Sequence, residues 1–112
     1  MQTAVAKTID DLRQNGALSG VDVANIADVS KATVSRWSVG KADPHPRAQL
    51  VLSDLRYVVM RLSEFYTPEE TRVWLYARND LLDGRRAVDL IHDGKTEEVL
   101  LAIERLAGLS YL

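Results

Sequence analysis

The chain has no cysteine, which excludes a disulfide framework, a thiolate metal site and a cysteine nucleophile. It has no apolar run near the roughly 18 residues needed to span a bilayer. Its opening residues, MQTAVAKTIDDLRQ, carry Asp10 and Asp11 where a secretory leader would have its apolar stretch. A cytoplasmic protein without a membrane partner is therefore expected. The two histidines, His45 and His92, lie far apart with no ligand spacing around them, so no metal is expected. No serine stands at motif spacing from a general base, and no glycine-rich loop could cradle phosphates. The acid pairs Asp10-Asp11, Glu69-Glu70 and Glu97-Glu98 fall in or near helix first turns, where they complement the dipole. Neither catalysis nor a cofactor is expected. Internal repeats, low-complexity segments and sustained strand-like alternation are missing too.

What remains is helical spacing, in a chain long enough to bury about two-thirds of its unfolded surface without a metal or a disulfide. Val5, Ile9 and Leu12 share one face of a helix over 3–14, with Asn15-Gly16 as its stop. A short helix over 20–27 carries Val23, Ala24, Ile26 and Ala27, and Asp28-Val29 makes a tight turn. Ser30 is a good N-cap for a helix over 31–39, closed by Gly40. Pro44 and Pro46 break the chain before a long helix over 47–66. Its apolar residues cover more than one stripe, which suits a helix packed between two modules or one carrying a dimer interface. Thr67 and Glu70 form a capping box around Pro68, opening a helix that ends near Tyr76. Arg78-Asn79-Asp80 is a break and Leu81-Leu82-Asp83-Gly84 a turn. Two further helices are expected over 86–92 and 97–107, the second capped by Thr96 and closed by Gly108.

Net charge is −2, but it is unevenly placed. Residues 31–47 hold four basic side chains (Lys31, Arg36, Lys41 and Arg47) against one acid, Asp43. Residues 54–112 hold eight basic against eleven acidic. A local basic patch can bind phosphate whatever the total, because screening confines each charge to about 8 Å.

The basic patch sits on a recognisable frame. In VDVANIADVSKATVSRW, small Ala24 and apolar Ile26, Val29, Val34 and Trp37 meet the packing needs of two helices crossing at a short turn. With Gly40-Lys41 following, the segment resembles phage-repressor-type (Xre) helix-turn-helix domains. That family has glycine where Asp28 stands, and aspartate is among the residues that best tolerate positive φ. The resemblance implies that Ser30 and Thr33 bond phosphate. It places Lys31, Ala32, Ser35 and Arg36 on the base-reading face and makes Lys41 and Arg47 backbone clamps. Arg36 suits guanine, whose O6 and N7 accept its fork. The bland alternative is a solvated basic helix face. Trp37 reads as core. One copy offers about four phosphate contacts, a log–log salt slope of about −3.6, so a homodimer or larger assembly is expected on operator DNA.

The C-terminal half, TRVWLYARNDLLDGRRAVDLIHDGKTEEVLLAIERLAG, resembles the toxin-binding domain of Xre/MbcA/ParS-type antitoxins. The matching residues are Trp74-Leu75, Asn79, Leu82-Asp83-Gly84, Asp89-Leu90 and Gly94. The resemblance implies a cognate RES-domain toxin that consumes NAD, whose pocket the antitoxin occludes, and autoregulation of the operon by the complex. Toxin contacts are expected from Trp74, Asn79, Leu82, the loop arginines Arg78, Arg85 and Arg86, and the apolar tail residues Leu109, Tyr111 and Leu112. Against these stand solvated arginines, a frayed tail and a Trp74 that is core rather than interface.

The expected fold is thus all-α: an Xre-like helix-turn-helix bundle joined by a long helix to a small helical toxin-binding domain. The expected division is 1–46 for DNA, 47–66 for connection or dimerisation, and 67–112 for the toxin. The functions compatible with it are an antitoxin that also binds its operator, a plain dimeric repressor, or an interaction module with a degenerate DNA surface.

Overall fold

A computed structural model of the chain describes residues 2–110, and the side chains of 2–108. The expected contacts at Tyr111 and Leu112, and the Leu109 side chain, lie outside the described residues. Seven α-helices account for most of the described chain. They are α1 Ala4–Gly16, α2 Gly20–Ala27, α3 Lys31–Ser38, α4 Pro46–Leu62, α5 Pro68–Tyr76, α6 Ala87–His92 and α7 Thr96–Ser110. The architecture is all-α, as expected.

Local chemistry sets the helix ends. Thr3, Ser19, Ser30 and Thr67 are N-caps whose hydroxyls each accept a first-turn backbone N–H. At the C-terminal ends, left-handed residues close the last turns. Asp28 has φ 59° and Gly94 φ 77°, and beyond them Val29 N–H bonds Ala24 O at 3.0 Å and Lys95 N–H bonds Leu90 O at 2.7 Å. Asp28 therefore occupies the strained position expected of it.

Several boundaries differ from the sequence expectation, each for a physical reason. Asn15-Gly16 does not stop α1: the left-handed residue is Ala17, φ 52°. Gly16 stays helical and buried, packed so closely on α4 that a Cβ there would meet both Val59 methyls at 3.2 Å. Pro46 is the first residue of α4 rather than its barrier, and His45 caps it through Nδ1, which accepts from Ala48 N–H at 3.2 Å. The same helix ends at Leu62, four residues early, and Phe65 and Tyr66 N–H groups fold back onto the Leu62 carbonyl. Thr96 lies inside α7, and its hydroxyl donates to Asp54 Oδ2 of α4 at 2.9 Å. Gly108 does not close that helix, which runs on to Ser110. Finally, the segment read as a break and a turn contains a two-residue antiparallel ladder, β1 Arg78–Asn79 against β2 Arg85–Arg86. A single 3₁₀ turn, Asp80–Leu82, fills the bend between them.

Helix α1 packs on α3, α4 and α5, α2 on α3 and α6, and α4 on α6 and α7. Buried side chains from Ile9 through Leu55, Leu62 and Leu75 to Ile103 form one contiguous cluster. The long helix contributes Val51, Leu52, Leu55, Val58, Val59 and Leu62 to it. Helices flanking α4 on different sides account for its more-than-one-stripe pattern.

Two substitutions should move stability in opposite directions. Gly16→Leu drives a branched side chain into Val59 and is expected to destabilise by about 2 kcal/mol, seen as a lower urea midpoint with unchanged slope. Thr71 is fully buried on α5 and its hydroxyl has no hydrogen-bond partner among the described residues. Thr71→Val keeps the shape and removes the desolvated hydroxyl, so the same titration should show a gain of about 1 kcal/mol.

Candidate functional site

The first surface is the outer face of α3. Val34 and Trp37 point into the cluster that also holds Val23, Ala24 and Ile26, which places Trp37 in the core. Lys31, Ala32, Ser35 and Arg36 are exposed on the other side, and Thr33 is half-buried. Polar side chains run along this face in a chain of bonds. Ser30 Oγ accepts the Thr33 N–H at 3.0 Å, and the two hydroxyls lie 2.9 Å apart. Arg36 Nη2 donates to Thr33 Oγ1 at 3.2 Å. The helix closes on Gly40, φ 75°, with Gly40 N–H to Trp37 O at 3.2 Å and Lys41 N–H to Arg36 O at 2.9 Å. Among the described residues none of Lys31, Arg36, Lys41 or Arg47 is ion-paired to a carboxylate. Arg47 has a different engagement: it donates to the His92 carbonyl at 3.3 Å, so its guanidinium faces the end of α6.

The second surface is built on the β1–β2 ladder, which sets Arg78 opposite Arg86 and Asn79 opposite Arg85. Each arginine already has a partner. Arg78 donates to the Gly84 carbonyl at 3.2 Å, Arg85 to Glu98 Oε1 at 2.7 Å, and Arg86 grips both Asp89 oxygens at 2.9 and 3.0 Å. Asn79 Oδ1 accepts the Leu81 N–H at 2.9 Å and shapes the bend. Trp74 is half-buried. Leu82, expected to touch a partner, is 2% exposed and belongs to the core. The turn needs an apolar anchor at that point, and Leu82 supplies it.

Between the two surfaces lies a buried joint that the sequence reading missed. Asp22, in the first turn of α2, is only 7% exposed. It accepts from Ser19 N–H at 2.7 Å, Ser19 Oγ at 2.9 Å, Tyr76 Oη at 2.7 Å and an Arg72 guanidinium N–H. Burial alone would raise the Asp22 pKa, but the bonds from Arg72, Ser19 and Tyr76 outweigh it and hold the carboxyl at about 2. Burial, and then the bond to Asp22, push the Tyr76 phenol up to about 12. The Arg72 guanidinium also lies 4.8 Å from the Tyr76 ring centroid, a cation–π contact. Nearby, His92 Nδ1 lies 2.9 Å from the Ile26 carbonyl, which can only accept, so this nitrogen carries the proton. A cleft of about 370 Å³ opens beside it, lined by Asn25, Tyr76, Arg86 and His92 among others. A signal for Asp22 was legible as the Ser19-x-x-Asp22 capping-box pattern. The spacing of Arg72 and Tyr76, four apart on α5, showed that they share a face but not what they face.

Among the described residues no three metal-ligating side chains converge, and no helix is long and apolar enough to cross a membrane.

No family model matches the chain. It is 31% identical over 103 residues to the mycobacterial cidal antitoxin MbcA of Mycobacterium tuberculosis, covering 92% of this chain and 91% of that protein. It is 36% identical over 107 residues to a probable mycobacterial cidal antitoxin of the same organism, covering 96% and 90%. The fold matches a chain in the crystal structure of the M. tuberculosis MbcT–MbcA toxin–antitoxin complex with a TM-score of 0.83 and 30% identity, over 95% of this chain and 96% of that one.

The joint makes a pH prediction. The Asp22 pKa is depressed from 3.8 to about 2 on folding, so its contribution is fully present above the unfolded value and is lost as pH falls through the folded one. At neutral pH that contribution is about 2 kcal/mol. Asp22→Asn should therefore unfold at lower urea than the parent at pH 7, and the gap should close between about pH 4 and pH 2. A gap that persists unchanged at pH 2 would mean that the charge of Asp22 is not what the mutation removes.

Proposed function

The chain belongs to the mycobacterial cidal antitoxin (MbcA) family, and from that premise we propose that it binds a cognate NAD-consuming RES-type toxin, occludes its active site and represses the shared operon. The observation that carries this reading is the match along nearly the whole chain to a chain of a solved toxin–antitoxin complex. Such coverage takes in the helix-turn-helix and the C-terminal half together. In this reading residues 1–46 contact operator DNA, 47–66 connect and support self-association, and 67–112 hold the toxin. The DNA contacts are Ser30, Lys31, Ala32, Thr33, Ser35, Arg36 and Lys41, with Arg47 supporting the α4–α6 contact. The cations of α3 have no carboxylate partner, which favours contact with a polyanion. On the toxin side Trp74, Arg78, Arg85 and Arg86 are accessible, and Asn79 and Leu82 fix the loop that presents the arginines. The assembly on DNA is a homodimer or a larger oligomer with the toxin.

The test is co-expression with the protein encoded by the adjacent gene, followed by an NAD-turnover assay with and without this chain. A stable complex with suppressed turnover is expected, and loss of residues 109–112 should release the toxin without unfolding the antitoxin. No complex and no effect on turnover would return the chain to the class of plain dimeric repressors. For the DNA arm, Arg36→Ala should weaken operator binding by about 1–3 kcal/mol and flatten the discrimination at one base pair.

A further inference from the structure

We propose that α3 reads a guanine and a thymine two or three base pairs apart, with Thr33 steering Arg36 onto the guanine and Val39 receiving the thymine methyl. The inference rests on the DNA-binding reading above and adds to it one residue, Val39, a positioning role for Thr33 and a base pattern.

The geometry behind it is a stripe. Ala32, Arg36 and Val39 follow one another at helical spacing on the face opposite Val34 and Trp37, and all three are exposed. Val39 is 67% exposed. It is the C-cap of α3, directly after Ser38, and its φ −105° and ψ 7° mark where the backbone leaves the α-helical range. A branched apolar side chain in that position contributes nothing to the core of this chain. In the major groove, the complementary apolar feature is the C5 methyl of thymine, and guanine alone offers two acceptors, O6 and N7, to an arginine fork.

Arg36 is not left to wander. Its Nη2 bonds Thr33 Oγ1 at 3.2 Å, and Thr33 is in turn 2.9 Å from Ser30 Oγ. This draws the guanidinium toward the N-terminal end of α3, the end that enters the groove in helix-turn-helix complexes. One N–H is used and the rest of the fork stays available. Because Ser30 is pinned by accepting the Thr33 N–H, the relay is anchored to the helix cap. Thr33 is thus a positioning residue for Arg36. With the guanidinium held at the level of Thr33, it lies about 9 Å from Val39 along a helix axis, and base pairs are about 3.4 Å apart, which sets the separation of the two bases at two or three base pairs.

The experiment is selection from a duplex library with a randomised core, using the full chain alone and in its co-purified complex with the adjacent-gene protein. The selected duplex is then resynthesised with 7-deazaguanine, which removes N7, or deoxyuridine, which removes only the thymine methyl. The quantity read is the ratio of affinities for matched and altered duplexes, which cancels any loss common to all DNA. A guanine-over-adenine ratio of about tenfold or more is expected, falling about fivefold in Thr33→Val and restored in Thr33→Ser. Deoxyuridine should weaken the parent severalfold and leave Val39→Ser indifferent. Unchanged ratios in Thr33→Val and Val39→Ser, with random duplex still bound, would overturn this inference and leave DNA binding standing. Failure to bind any duplex at low salt, alone or in the complex, would overturn both this inference and the DNA arm of the proposed function, and would leave the toxin arm intact.

Discussion

A buried carboxylate must be fully hydrogen-bonded, and in this chain the demand falls on Asp22. Desolvation disfavours its charge, and removing a partner would strand it. Two of its four donors come from Ser19, at the head of its own helix. The other two, from Arg72 and Tyr76, lie 50 and 54 residues away on α5. Helix α2 is therefore held in place by the C-terminal half of the chain. Since α3 packs on α2 across a turn pinned at Asp28, the setting of α3 inherits this constraint. Bonds from His92 to Ile26 and from Arg47 to His92 brace the same junction from the end of α6.

The rest of the frame follows from close approach at a few points. Gly16 lets α1 lie against Val59 of α4, and no other residue would fit there without displacing a stiff, branched side chain. Residues Asp28 and Gly94 turn the chain through left-handed conformations so that short helices can pack across one another. The long helix α4 is covered by α1 on one flank and by α6 and α7 on another. Its buried residues join the clusters of both halves into one.

Much of this was legible in the sequence because it is local. The N-caps at Ser30 and Thr67, the bounds of α2, the left-handed turn at Asp28 and the inward Trp37 all follow from residues within a few positions of one another. The misreadings have a common origin in long-range contacts. Asn15-Gly16 looks like a stop until Val59 is placed beside it. Thr96 looks like a cap until Asp54 claims its hydroxyl. Leu82 looks like a presented residue in a turn, and only the packed core shows that it is an anchor. The partners of Asp22 were out of reach for the same reason, since nothing near it in sequence names Arg72. The β1–β2 ladder is too short for alternation to register at all.

The two surfaces use arginine in opposite ways, and this bears on how each would engage a partner. On α3 the cations lack carboxylate partners, so their field reaches outward and can draw in a polyanion from a distance. On the ladder, Glu98 and Asp89 already neutralise Arg85 and Arg86. Pairs like these steer little, because opposite charges a few ångströms apart cancel at a distance. They also gain little stability where they are exposed. What they do fix is direction: a bidentate Arg86–Asp89 pair and a ladder register that sets Arg78 beside it hold planar groups in a defined array. A partner arriving there exchanges one set of hydrogen bonds for another rather than gaining new charge attraction. A partner at the ladder would therefore be selected by shape and geometry, while attraction of a polyanion to α3 would depend on ionic strength. A chain with a net charge of −2 can thus present unpaired cations on α3 while those of the ladder are paired.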